Sequence, residues 1–346
     1  MKKVMMLAVL TSASLAANAA QLPFSANDLG IGERFSTGTH GAGIQAMGKD
    51  IGARRHVSDN NWPWKKNNAV DGKVLDNHVI YNKPFYAMAD GTVVGCWRNA
   101  PENVPGSSHP DLVAKRFAGG GNHLWILQND GSYALYAHAT PGSIPKEICP
   151  HDAALFSGTQ GPYASPDIDP SVKVSNGAKI KAGQMLGRVG NSGSSSGPHL
   201  HVHVEKDGKP VPMKFDRGLT RSFGGQTASL SKSWTRVAGN TLPEGDILFW
   251  PHRPIGNYTF KGTPGVEYQT FFDHMTDSGM MPDLITCKSS GKTYDTTWSP
   301  WKGSWISHHG MSAEQAAAKH KTYVAQGFKR TSSYTCGSVT VAVWKK

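Results

Sequence analysis

The stretch Gly197-Pro198-His199-Leu200-His201-Val202-His203-Val204-Glu205 decides how this chain is read. Successive side chains of a β-strand point to opposite faces, so His199, His201 and His203 share one face. Imidazoles gathered on one face supply what a zinc site needs, and equally what acid–base chemistry near neutral pH needs. A single histidine in a strand is ordinarily packing or surface. Three at period two, delivered by the loop Gly190-Asn191-Ser192-Gly193-Ser194-Ser195-Ser196-Gly197, indicate a functional site.

Strand signals crowd the sequence on either side. Residues 85–94 read as strand, turn and strand, with Asp90-Gly91 at the turn. Residues 124–128 and 133–138 read as a hairpin across Asn129-Asp130-Gly131, and 179–190 as a strand pair around Ala182-Gly183. Gly, Pro, Trp, Thr and Ser are plentiful and helix-period segments are scarce, which predicts a mainly β fold with a compact antiparallel sheet. Residues 20–38 read as a loop-rich lead-in, and 142–171, Pro-rich and polar, as an insertion over a binding face. Residues 218–264 read as a linker to a small α+β domain over 265–346. There His274, Gly279, Cys287 and Trp298 are echoed 46–49 residues later by His320, Gly327, Cys336 and Trp344. Periods of this size mark repeated units, here a short helix, a glycine and two strands ending in Trp.

The N-terminus sets the compartment. Met1-Lys2-Lys3, an apolar run from Val4 to Ala16 and Ala17-Asn18-Ala19 form the pattern of a secretory signal peptide over 1–19. The expected mature protein is exported, without a membrane span. The formal net charge of +11 and pI near 9.4 suit an anionic partner such as a cell-wall polymer. The positive charges are scattered, without the dense tract of a nucleic-acid-binding arm. Export favours disulfides, and the simplest pairing of the four cysteines is Cys96–Cys149 and Cys287–Cys336.

Four ordered motifs carry a family resemblance. Residues 83–94 resemble "G-T-P-V-x-A-x-x-D-G-x-V", Leu135-Tyr136-Ala137-His138 resembles "L-Y-x-H", and the glycines 177, 183, 187, 190 and 193 match the family's spacing. Ser196-Gly197-Pro198-His199-Leu200-His201 resembles "S-T-G-x-H-L-H". Together they resemble the lysostaphin/LytM-type zinc endopeptidases, which cut peptide bonds of bacterial cell walls. The resemblance implies a peptidase domain over 20–217, with His201 as a zinc ligand and His138 and His199 as catalytic residues that do not ligate. It implies a Zn2+ cofactor and peptidoglycan as substrate. The 265–346 repeats weakly resemble bacterial tandem repeats found beside secreted hydrolases, which implies a binding or spacing role.

The family's other two ligands are a His and an Asp four residues apart, and this chain departs from that pattern. His78 has Asn82 at that distance, and neutral Asn is a poor zinc ligand. His40 and Asp50, ten residues apart, are the better candidates; His56 with Asp71 or Asp76, and His78 with Asp76, remain as alternatives. Two imidazoles and one carboxylate leave a fourth tetrahedral position for water. The departure also motivates a rival reading, a catalytically inactive wall-binding or scaffolding protein on the same fold. Gly193-Ser194-Ser195-Ser196-Gly197 formally matches a nucleophile elbow, but that motif requires a following helix, and a His-alternating strand follows here. His203 is assigned a supporting or packing role and His123 a structural one.

Overall fold

The computed structural model describes residues 20–30, 33–40, 42–58, 60–114, 119–151, 172–223, 235–237, 239–242, 247–250, 257–277 and 279–346. The expected signal peptide and residues 152–171 lie outside the described residues.

The strands in chain order are β1 (Glu33–Thr39), β2 (Lys49–Arg55), β3 (Pro84–Tyr86), β4 (Gly91–Trp97), β5 (Asn122–Gln128), β6 (Tyr133–Ala139) and β7 (Lys179–Ile180). There follow β8 (Met185–Arg188), β9 (Leu200–Lys206), β10 (Lys209–Val211), β11 (Gly218–Ser222), β12 (Thr235–Val237) and β13 (Ile247–Trp250). One large antiparallel sheet runs β12-β11-β13-β1-β2-β9-β6-β5-β4-β7, with β10 returning on β9; β3 and β8 form a small separate pair. The expected mainly β, antiparallel fold is the observed one.

The histidine strand β9 lies inside this sheet, between β2 and β6. Leu200 and Val202 are fully buried in the main core with Ile51, Phe85, Val93, Ile126 and Tyr136. Each such burial contributes about 1.5–3 kcal/mol, so the alternation fixes which face the histidines take. The opposite face is buried too: His201, His203 and Glu205 are each 3 % exposed or less. A tight turn at Asp207-Gly208, both at positive φ, reverses the chain into β10, as expected of an Asp-Gly hairpin.

Four expectations are revised. The lead-in is built into the fold: Leu22, Phe24 and Phe35 are core residues, Phe24 stacks on Phe35 at 4.4 Å, and β1 pairs with β2 throughout its length. The two strands of 85–94 do not form a hairpin. β3 pairs with β8 and β4 with β5 and β7, while the Asp90 carboxylate accepts from the Ala182 amide and pairs with Lys181. Within the expected 142–171 insertion, Ile144, Ile148 and Cys149 belong to the core. The expected linker 218–264 contributes β11, β12 and β13 to the large sheet, because its short apolar runs find partners in one another and in β1.

The C-terminal part forms two matching units. The first is β14 (Tyr258–Pro264), α2 (Gly265–Asp277), β15 (Met280–Lys288) and β16 (Thr293–Pro300). The second is β17 (Trp305–Met311), α3 (Ala313–Ala325), β18 (Lys329–Cys336) and β19 (Val339–Lys345); the short helix α1 (Pro110–Val113) precedes both units. Each unit folds as a three-stranded sheet with its helix, and the equivalent Trp298 and Trp344 are fully buried. Gly279 and Gly327, both at positive φ, occur just after the two helices, where a left-handed residue ends a helix without penalty. Disulfides join Cys96 to Cys149 and Cys287 to Cys336, each with Cα atoms 5.7 Å apart, as expected. The second bridge links equivalent positions of the two units.

The repeats are not a detached module. Ala26, Trp62, Leu219 and Phe223 share one core with Tyr258, Phe260, Tyr268 and Phe271, and buried Arg34 of β1 pairs with buried Glu267 of α2 at 2.8 Å.

Candidate metal centre

Asp50 of β2 and His201 of β9 are direct register partners across an antiparallel ladder. Asp50 Oδ1 lies 2.8 Å from His201 Nδ1. His40 follows β1 immediately, one step beyond the Thr39–Lys49 pair, and its Nε2 lies 3.9 Å from Asp50 Oδ2. Ligand-capable atoms of His40, Asp50 and His201 all fall within 4.8 Å of one another, a group picked out among the described residues. Atoms bound to a tetrahedral zinc at about 2.0–2.2 Å are separated by about 3.3–3.6 Å, so the observed spacings bracket that value. The donor set, two imidazoles and a carboxylate, is of the type zinc takes with an open fourth position, and among the described residues buried His40 Nδ1 has no hydrogen-bond partner. These residues fit a zinc ion.

Among the described residues the expected alternatives are not part of this cluster. His78 Nε2 bonds to the Gly72 carbonyl at 2.8 Å and its ring lies tilted against Trp64, and His56 packs edge-on against Trp62. Together with Asp71, Gly72 and Lys73, His78 and Trp64 wall a trough of about 680 Å³ that runs from Asp50 and Gly197 over Gly52. A second recess of about 630 Å³ opens on the other side, lined by His40, His138, His201, Trp125 and Leu135.

His138 reaches the cluster through a β-bulge. On the β6–β5 ladder Ala139 pairs with Asn122 and Tyr136 with Leu124, so Ala137 and His138 together oppose His123. Ala137 is the partner of His201, and in a regular strand His138 would face the other way. Instead His138 has φ 71°, a left-handed conformation unusual for a residue with a Cβ. Its ring centroid lies 4.7 Å from that of His199 and 6.1 Å from that of His201. Strain of this kind is retained where the surroundings impose it, typically at working sites.

Backbone carbonyls set the two histidine tautomers. His138 Nδ1 lies 2.8 Å from the Ser192 carbonyl and His199 Nδ1 lies 2.8 Å from the Gly197 carbonyl. A carbonyl accepts only, so each Nδ1 carries the proton and each Nε2 is left for other chemistry. His199 Nε2 lies 3.5 Å from Asp50 Oδ1, on the metal-site side. Burial, with His199 and His201 alongside, pushes His138 well below the ordinary histidine range. Burial lowers His201 as well, against the opposing effect of the Asp50 carboxylate. For Asp50 burial alone would raise the pKa, but the bond from His201 and the neighbouring His199, His201 and His40 bring it below the usual value.

The Gly/Ser loop is held by side chains that the sequence did not single out. Asn103 Nδ2 donates to the carbonyls of Gly193 and Ser195, and Asn191 Nδ2 donates to the Asn103 carbonyl. Ser192 Oγ accepts from the Asn122 amide and donates to the Ala139 carbonyl, tying the loop to β5 and β6. Backbone meets backbone where Gly193 crosses Gly121: a Cβ on either would overlap the other's chain. The small residues of the loop hint at such packing; nothing in the sequence marks Asn103. Ser195, the formal elbow serine, is buried and donates to Asn191 Oδ1, and the His199 Nδ1 beside it carries a proton, so no base faces it.

Comparison with known proteins bears on the same segment. Residues 168–213 match the model of peptidase family M23, and residues 302–335 match a polyglycine hydrolase-like structural repeat. The DD-carboxypeptidase/endopeptidase Mpg of Neisseria meningitidis serogroup B is 29% identical over 115 residues, 32% of this chain and 20% of that protein. A second strain's Mpg is 27% identical over 162 residues, 41% of this chain and 30% of that protein. The chain thus spans about a fifth to a third of the length of these relatives. Among solved structures, the catalytic domain of lysostaphin from Staphylococcus simulans is 18% identical, covering 52% of this chain and 81% of that one, with a TM-score of 0.23. A zinc-containing peptidase from Vibrio cholerae is 18% identical, covering 49% of this chain and 50% of that one, also with a TM-score of 0.23. The histidine strand, its glycine-rich approach and the match to the peptidase family M23 model fall on one segment of the chain.

Proposed function

We propose that the protein is an exported zinc metalloendopeptidase that hydrolyses peptide bonds of bacterial peptidoglycan, in stem peptides or cross-bridges. The observation that carries this reading is the convergence of five side chains. His40, Asp50 and His201 form a compact donor triangle, and His138 and His199 border it with their Nδ1 protons tied to carbonyls. His40, Asp50 and His201 would hold the zinc, which supplies Lewis acidity that makes hydroxide available near neutral pH and polarises a scissile carbonyl.

The chain's own groups do the rest. A neutral imidazole with its proton on Nδ1 accepts a second proton at Nε2, and His138 is kept neutral by burial. One of the pair takes the proton of the attacking water and passes it to the departing amine. Once that imidazole carries the proton, its Nε2–H donates a hydrogen bond to the oxyanion as charge develops there, an effect enlarged by the site's low polarity. The trough beside Asp50 and the recess beside His138 give an extended peptide room on both sides of the reacting carbonyl. In this reading the repeats at 265–346 contact the wall polymer, and the net charge of +11 favours anionic wall components. Among the described residues no helix is long and apolar enough to cross a membrane.

The test is release of soluble fragments from dye-labelled cell walls, with zinc content measured in parallel. Wild type should solubilise wall and lose activity to a chelator; His201→Ala should lack both zinc and activity. Chelator-insensitive wall binding with no solubilisation would establish the scaffold reading instead.

A further inference from the structure

His203 lies two residues beyond His201 on the same face of β9, is 2 % exposed, and is not used in the chemistry above. Its Nδ1 is 2.8 Å from His201 Nε2. Its Nε2 has no hydrogen-bond partner among the described residues, and its ring packs edge-on to Trp125 with centroids 5.5 Å apart. Gly48 lies over the pair: a Cβ there would come within 3.2 Å of both His201 Cε1 and His203 Cβ. His201 is therefore gripped at both nitrogens, by Asp50 on one edge and His203 on the other.

We infer that His203 is a positioning residue for the metal centre, and that His201 and His203 exchange tautomers together when zinc binds. This rests on the reading of His40, Asp50 and His201 as zinc ligands. His201 Nε2 faces a buried ring, so the atom on the Asp50 side, Nδ1, is the one available to a cation. An imidazole that ligates through Nδ1 carries its proton on Nε2. That N–H points at His203 Nδ1, which must then offer a lone pair and keep its own proton on Nε2. Before zinc binds the order is reversed. The 2.8 Å contact to the ionised Asp50 needs a proton on His201 Nδ1. The neutral His201 then has a lone pair at Nε2, and His203 must donate from Nδ1. Two ring protons are present before and two after, so the neutral pair loads zinc with no net proton release; only the direction of the 2.8 Å hydrogen bond reverses.

Competition with a chromophoric chelator measures the grip. His203→Leu removes the acceptor, and zinc affinity should fall by about 10–100-fold, the usual effect of losing an outer partner. His203→Asn carries Oδ1 where the ring carries Nδ1, and should stay within about threefold of wild type, a rescue that a purely space-filling role would not give. In ¹⁵N-histidine-labelled full-length protein, the His203 signals, identified by their loss in His203→Asn, should report the proton on Nδ1 with chelator and on Nε2 with zinc. Wild-type zinc affinity in a His203→Leu protein with unchanged melting temperature would overturn the inference, as would one unchanging His203 tautomer in the unmodified protein. A wild-type chain that takes up no zinc would instead overturn the metal-centre reading, and this inference with it.

Discussion

Asp50 and His201 are 151 residues apart in the chain and face each other across one rung of the β2–β9 ladder, carboxylate oxygen to imidazole nitrogen at 2.8 Å. The sheet register already places their Cβ atoms side by side, so a small side-chain adjustment lets both meet a cation. Asp50→Asn keeps the shape and a hydrogen-bonding oxygen but removes the charge. We expect zinc affinity to fall by more than about 100-fold, beyond the loss of an outer partner, with the melting temperature of the chelated protein little changed. Metal analysis after dialysis, alongside a thermal melt, checks both halves.

The bulge at His138 separates chemistry from stability. Asn tolerates the left-handed conformation that His138 holds at φ 71°. His138→Asn should therefore fold and retain zinc, yet lose about 10²–10⁴-fold in kcat, the range supplied by acid–base groups. Steady-state kinetics on a soluble peptide substrate, with zinc content in the same samples, tests this; retained kcat would remove His138 from the reaction.

Gly193 tests the crossing of the two loops. Its φ of 75° and the overlap of any Cβ with the Gly121 nitrogen and Gly119 carbonyl leave no room for alanine. The backbone conformation alone costs a substituted residue about 1–3 kcal/mol, and the overlap adds to it. Gly193→Ala should lower stability by at least that amount in urea denaturation and lower kcat as well, since the Ser192 carbonyl that orients His138 moves with it.

Acid should weaken the fold through His123. Burial lowers this fully enclosed ring to about 4, while the unfolded chain binds the proton near 6.5. Between these values the unfolded state holds more protons, so stability present above pH 6.5 is lost as the pH falls toward 4, by at most about 3 kcal/mol for this group. Urea denaturation of the chelated protein at pH 7, 5.5 and 4 should show the decline, and His123→Gln should flatten it by one proton's worth. Parallel pH curves for the two proteins would exclude His123 as the source.

The legible and illegible parts of the sequence divide along physical lines. His199, His201 and the core alternation of Leu200, Val202 and Val204 were readable because strand period alone sorts them by face. The repeats were readable because each carries its own helix stop and its own buried Trp. His40 and Asp50 were reachable only by elimination from a motif, since their meeting depends on the β1–β2 pairing and on the register with β9. The aim of His138 depends on one extra residue in a ladder, which leaves no trace in composition. β11 and β13 read as a linker because each is short and the pair joins the large sheet only through β13, whose Phe249 pairs with distant Phe35 as well as with Thr220. Asn103 is similarly silent, because it acts through backbone groups 90 and 92 residues away.

The ion pair between Arg34 and Glu267 bears on more than local stability. Removing one partner of such a pair typically costs about 3–5 kcal/mol, because a buried charge is left alone, and Trp62 and Phe223 share the same seam. A hydrolase on a loose tether sweeps out a volume and attacks whatever bond drifts within it. Here the strand that leads to His40 is bolted through Arg34 to the first repeat, so under the proposed function the cleft would keep a set distance and heading from a surface the repeats contact. Such a molecule would act as a gauge, cutting at bonds a fixed step from its foothold and leaving those nearer or farther untouched.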